Sequence, residues 1–330
     1  MAPHGRRYAA RRRSLVAAVL LPALAVLLAL TVALSLAVGG ALLTGAAGND
    51  GSAGAPPSDT PSPRPRAALS LAGEIRAAEE RAVDAREARV RVAAALASVD
   101  EAAAEAGGTV DVVVLGPDGG ELLAGPGADR PLHTASLVKL LVVQQLLARA
   151  EAGTLDLSPA DLGRMERAVT ASDDEAMSAL WSRFDGPALV VAATTEFGLT
   201  GSSPPAVPGQ WGEARTTARD TAVFLAGLPD HLTGDDRATL TGWMRATTGT
   251  AADGSDQRWG LLSPTVRSST EVAAKQGWMC CIDGRRQLHS AGTLADGRTV
   301  VLLGDFPAGT SWARSQQALD AAATAAVSGT

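Results

Sequence analysis

Hydrophobic and polar positions divide the chain into stretches of distinct rhythm. From Ser14 to Leu43 no residue carries a charge. That run exceeds the roughly 7–15 apolar residues of a secretory signal and is long enough for the about 20 that a spanning helix needs. Arg6, Arg7, Arg11, Arg12 and Arg13 precede it. The pattern predicts a basic cytoplasmic N-terminus over 1–13, an uncleaved transmembrane signal anchor over 14–43, and an extracytoplasmic remainder at the cell membrane. Secretion after signal cleavage is the alternative. Residues 44–66 are rich in Gly, Ser and Pro and read as a disordered tether. A single domain is expected over 67–330.

Inside that domain the rhythm changes again. Residues 70–106 are rich in Ala, Glu and Arg, strong helix formers. Leu71, Ile75, Val90, Leu96 and Val99 hold no clean heptad, so a packed terminal helix is expected rather than a coiled coil. "TVDVVVLGPDGGELLAG" then reads as strand, Pro-Asp-Gly-Gly turn and strand. "HTASLVKLLVVQQLL", His133 to Leu147, has helical length, and residues 154–245 look mostly helical. Strand patterns return in "EVAAKQGWM" and "LHSAGTLADGRTVVLLGDF", the latter with an Asp296-Gly297 hairpin signal. A last helix is expected over 311–327. Strands from both ends enclosing a helical middle predict an α+β domain. Its antiparallel sheet would be flanked by N- and C-terminal helices, with an all-helical insert, and one transmembrane helix would precede it.

Charge narrows the function classes. Residues 67–330 hold 22 basic and 33 acidic side chains, a net of −11, which argues against nucleic acid as a partner. The cysteines, Cys280 and Cys281, are adjacent and read as two small buried hydrophobes rather than a redox pair. Neither sits near the N-terminus, so lipidation there is not expected. No C-x-x-C or H-E-x-x-H occurs, and neither metal nor cofactor is expected.

One compositional oddity points to chemistry. The chain has 29 Lys+Arg, and only Lys139 and Lys275 are lysine. A guanidinium stays protonated, whereas an ammonium can be driven neutral and act as a base. Lys139 closes Ser136-Leu137-Val138-Lys139, an S-x-x-K at a helix start, where residues three apart share a face and hydroxyl and amine can meet. Downstream, Ser172-Asp173-Asp174 leads into a helix in "TASDDEAMSALW". Lys275-Gln276-Gly277 lies on a predicted strand in "AAKQGWM".

In that order the three elements resemble S-x-x-K, S-D-N and K-T-G, the signature of class A β-lactamases and penicillin-binding proteins. The resemblance covers about residues 105–327. It implies that Ser136 attacks a carbonyl to form an acyl-enzyme, with neutral Lys139 as general base. Lys275 would help depress the Lys139 pKa and attract a substrate carboxylate, and Ser172 would relay a proton to the leaving nitrogen. The backbone N–H groups of Ser136 and Trp278 would form the oxyanion hole, with Asp174, Gln276 and Gly277 lining the substrate site. A peptidoglycan-derived peptide or a β-lactam would be the partner, with the membrane held through the N-terminal helix.

Departures from the signature matter. Asp174 replaces an asparagine that donates to substrate amides, which an ionised carboxylate cannot do. Gln276 replaces a small hydroxyl residue. "FGLTGSSPPAVPGQWGEARTTARD" lacks the E-x-x-L-N pattern of class A enzymes, leaving Glu213 as the one candidate deacylation base before Asp220. The Ser136–Ser172 interval is short, so the helical subdomain should be reduced. Tyr8, the sole tyrosine, lies before the anchor, which excludes family branches built on a tyrosine. There is no G-x-S-x-G. His133, one turn from Ser136, and His289, on a strand, read as structural. The expected function is a membrane-anchored extracytoplasmic serine hydrolase acting on amide bonds. A catalytically silent domain on the same fold and a true β-lactamase are the alternatives.

Overall fold

The computed structural model describes residues 65–330. The basic N-terminus, the anchor and nearly all of the tether expected over 1–66 lie outside the described residues. Among the described residues, no helix is long and apolar enough to cross a membrane.

Helix α1, Pro65–Glu105, starts with proline at a position where the missing N–H costs nothing. At 41 residues it is about 60 Å long. Only its last third behaves as the packed helix the sequence predicts. Ala95, Val99 and Ala103, four apart on one face, are buried beside Ala322, Ala323 and Ala326. Earlier, Val83 and Val90 are 56% and 63% exposed.

The sheet contains β1 (Thr109–Leu115), β2 (Glu121–Ala124), β5 (Val272–Ile282), β6 (Arg285–Leu294) and β7 (Thr299–Pro307) in the order β2-β1-β7-β6-β5. Every pairing is antiparallel. The hairpin signals hold, with Gly119 and Gly297 at φ of 77° and 86° in their turns. Central strands read as near-continuous apolar runs because both faces are covered. Val113, Leu115, Val301 and Leu303 join the core under the helical insert. Val110, Val112, Val114, Val300 and Leu302 join the core under α1 and the last helix, α9 (Trp312–Gly329).

Between the two halves of the sheet run α2 (Val138–Glu151), α3 (Pro159–Thr170), α4 (Asp174–Arg183), α5 (Gly186–Glu196), α6 (Ala218–His231) and α7 (Gly234–Arg245), then the short α8 (Pro264–Ser269). A small ladder of β3 (Leu132–His133) and β4 (Arg215–Thr216) pairs His133 with Arg215. It ties the segment entering α2 to the segment leaving a 3-10 turn at Trp211–Glu213.

The cysteines correct an expectation. Cys280 and Cys281 are exposed, at the end of β5, an edge strand of the sheet, where it approaches its turn at Asp283-Gly284, and the structure joins them in a disulfide.

Candidate active site

Ser136 sits in a 3-10 turn, Ala135–Leu137, that runs into α2. The turn is braced by two histidines. His289 Nε2 donates to the His133 carbonyl at 2.8 Å, and His133 Nδ1 donates to the Glu213 carbonyl at 3.1 Å. The other His133 nitrogen accepts from Arg215 at 3.4 Å, which leaves His133 no free nitrogen for Ser136. Burial pushes the His289 pKa down to about 4, so its ring is neutral when it makes that bond. Ala135, just before the serine, has φ of 45°, and Ser172 has φ of 51°. Left-handed backbone at residues other than glycine costs about 1–3 kcal/mol each and clusters at functional sites.

Strand β5 passes close to the serine turn at Gly277. A Cβ there would lie 3.1 Å from the Thr134 carbonyl and 3.3 Å from Leu137 Cγ. A side chain would therefore separate strand from turn. Alternation along β5 places Ala273 in the core under the insert and Ala274 in the core under the terminal helices. Lys275 follows Ala273 in register and reaches Ser172. Gln276 follows Ala274, is fully buried, and donates through Nε2 to the carbonyls of Gln257 (3.1 Å) and Trp259. Expected to meet substrate, Gln276 is instead occupied in holding the 257–259 loop.

The two lysines converge on one hydroxyl. Lys275 Nζ donates to Ser172 Oγ at 2.8 Å and to the Gln276 carbonyl at 2.8 Å. Lys139 Nζ donates to Ser172 Oγ at 3.3 Å, to the Ser172 carbonyl at 2.6 Å, and to Asp174 Oδ1 at 2.6 Å. An ammonium has three N–H donors, and all three on Lys139 are met. None goes to Ser136: the spacing brings serine and lysine to one face, but Asp174 and Ser172 take the amine.

Both lysine side chains are completely buried. Burial lowers the Lys139 pKa, with Asp174 and then Asp173 and Asp253 pulling it back up. Lys275 is held well below its ordinary value, by burial first and the Lys139 charge second. Its two acceptors suit a neutral amine, which has two N–H groups. The pair thus reads as one ammonium, on Lys139, beside one amine.

Asp173 caps α4 by accepting from Ala176 N at 2.9 Å and pairs with Arg167 at 3.0 Å. Asp174, whose side chain is 65% exposed, is the one member of this group open to solvent. Glu213 uses its carbonyl to hold His133, and its carboxylate has no hydrogen bond among the described residues. Trp278 packs edge-on against Trp259, with Lys275 Nζ 5.8 Å from its ring centre.

Sequence reasoning missed two contributors. Trp211 places its ring 4.9 Å from Lys139 Nζ and anchors its Nε1 on Ser178 Oγ at 3.2 Å. Its signal was rarity, since aromatic residues make up 3% of the chain. Asp253 lies on a loop bonded to the second-motif segment, through Ala252 N to the Ala171 carbonyl at 2.8 Å and Thr248 N to the Thr170 carbonyl at 3.0 Å.

Comparison with known proteins bears on the fold. No family model matches the chain. Proteins named "Putative lipoprotein LppW" from Mycobacterium bovis and Mycobacterium tuberculosis are 32% identical to it over 209 residues. The match spans 62% of this chain and 65% of the relatives, less than two thirds of their length. Among solved structures, a β-lactamase from Chitinophaga pinensis matches with a TM-score of 0.57 at 17% identity, covering 69% of this chain and 96% of that one. A β-lactamase from Sphaerobacter thermophilus matches at 0.54 and 18%, covering 72% and 96%. The domain has the β-lactamase fold.

Proposed function

We propose that this protein is an extracytoplasmic serine hydrolase, held at the membrane by its N-terminal segment, that forms an acyl-enzyme on Ser136. Its substrate is an amide or lactam carbonyl of the kind found in cell-wall peptides and β-lactams. One observation carries the reading: both lysines of the domain share the hydroxyl of Ser172. Two ammonium groups in one dry pocket disfavour each other's charge, so the arrangement supplies an amine able to move a proton. The relatives' name, lipoprotein, agrees with a protein held at a membrane. This chain's only cysteines are Cys280 and Cys281, so its own attachment falls to the apolar segment over 14–43.

In the proposed reaction Ser136 Oγ attacks the carbonyl carbon and its proton passes to the lysine pair. The carbon–nitrogen bond breaks, and Ser172 returns the proton to the leaving nitrogen. The backbone N–H groups of Ser136 and Trp278 hold the oxyanion. With no acid hydrogen-bonded in place to activate a water, the ester is expected to last.

A second reading, a silent binding domain, is favoured by one observation: Lys139 spends every N–H on Ser172 and Asp174. Intact mass after exposure to a penicillin whose side chain carries an ammonium group, beside Ser136→Ala, separates the two. A lasting adduct that needs Ser136 establishes the acylation site. No adduct over hours on folded protein leaves the silent domain.

A further inference from the structure

Asp174 is joined to the buried amine by one oxygen and is mostly open to solvent. We propose that Asp174 is the receptor for a cationic group on the acyl donor, an ammonium or guanidinium near the scissile carbonyl. Binding of that group takes the carboxylate from Lys139 and switches the amine into its basic form. The inference rests on the acylation reading above and names its substrate class.

Three sets of observations carry it. First, Lys139 cannot serve as a base while Asp174 holds it. Its side chain is 0% exposed and its three N–H groups are met by Ser172 Oγ, the Ser172 carbonyl and Asp174 Oδ1. Second, the charge at this place is negative and available. Asp174 is 65% exposed, and Asp253, also exposed, sits on the loop bonded to Thr170 and Ala171. Its field reaches Lys139. Asp173, by contrast, is already bound to Arg167 and to the start of α4. Third, little here would hold a substrate carboxylate. Lys275 is fully buried with its N–H groups on Ser172 and Gln276, and the Gln276 amide is turned to the 257–259 loop.

The incoming cation pairs with Asp174. Lys139, still buried but without its counter-ion, releases one proton to bulk water and becomes an amine. It then takes the Ser136 hydroxyl proton as Oγ bonds to the carbonyl carbon. The bond from that carbon to the leaving atom breaks, and its electron pair stays on the leaving atom. That atom takes the proton from Lys139 through Ser172 Oγ, leaving a neutral leaving group and a seryl ester.

Rigid active esters test this on the full-length protein. Three p-nitrophenyl benzoates are compared, bearing a para guanidino group, its neutral ureido analogue, or a carboxylate. The release of one equivalent of nitrophenol is followed and corrected for spontaneous hydrolysis. A guanidinium can meet a carboxylate through two parallel hydrogen bonds. The guanidino ester is expected to acylate about 10- to 100-fold faster than the ureido ester, the carboxylate ester being slowest. Asp174→Asn should bring the guanidino/ureido ratio to near one, and Ser136→Ala should abolish the burst. Equal rates in the wild type, or a preference that survives Asp174→Asn, would overturn the cation receptor and leave acylation standing. No Ser136-dependent burst with any ester overturns both. Should Asp174→Asn not fold, the wild-type ratios decide alone.

Discussion

Between pH 8 and 10 almost nothing in the folded unit, residues 68–330, can change its charge. Its guanidinium groups stay protonated, the two cysteines are bonded to each other, and it contains no tyrosine, since Tyr8 precedes it. The titrating groups are Lys139 and Lys275, so stability across this range reads the site directly. Both have folded-state pKa values below their ordinary ones, Lys275 well below, because burial disfavours the ammonium. The unfolded chain therefore binds more protons than the folded one from the folded pKa up to about 10.4, and stability must rise with pH over that window. One lysine contributes at most about 1.4 kcal/mol per pH unit. For a domain of this size that is about 3–6 °C in melting temperature per unit. Thermal melts at pH 8, 9 and 10 are expected to climb toward this slope and level off near pH 10.4. Lys275→Met fills the volume of the lysine stem with no titrating group and should remove most of the slope. A melting temperature that stays flat or falls across this range, or a slope undiminished in Lys275→Met, would refute the argument that these amines are depressed.

Other perturbations read other parts of the site. Gly277→Ala sets a methyl against the Thr134 carbonyl and Leu137. It should cost about 1–3 kcal/mol in denaturant melts and slow acylation by displacing the serine turn. Glu213→Gln should leave the lifetime of the penicillin adduct unchanged in a mass time course, because the structure engages the Glu213 carbonyl rather than its carboxylate. His289 is held neutral by burial down to about pH 4, against about 6.5 when unfolded. The unfolded state thus takes up more protons in between, and stability should fall as pH drops through that window. His289→Gln should flatten that acid limb in melts from pH 7 to 4.

The sequence determined what neighbours along the chain can decide. Apolar runs such as Val112-Val113-Val114 marked the strands, Pro-Asp-Gly-Gly and Asp-Gly placed the turns, and Ser136 with Lys139 fell at a helix start. The scarcity of lysine marked the two amines. These are properties of a few adjacent residues, whose periodicity and turn chemistry act within about one helical turn or one hairpin. Tertiary structure decided the partners. Lys139 answers to Asp174, 35 residues on, rather than to Ser136, three residues back. Gln276 meets the carbonyls of Gln257 and Trp259, and Trp211 comes to rest over an amine no pattern connects it to. The cysteines sit exposed at the end of an edge strand, and much of α1 is uncovered because α9 reaches only its last third. A side chain's partner depends on which distant segment packs beside it, and with the amine cut off from water that partner sets where its proton resides.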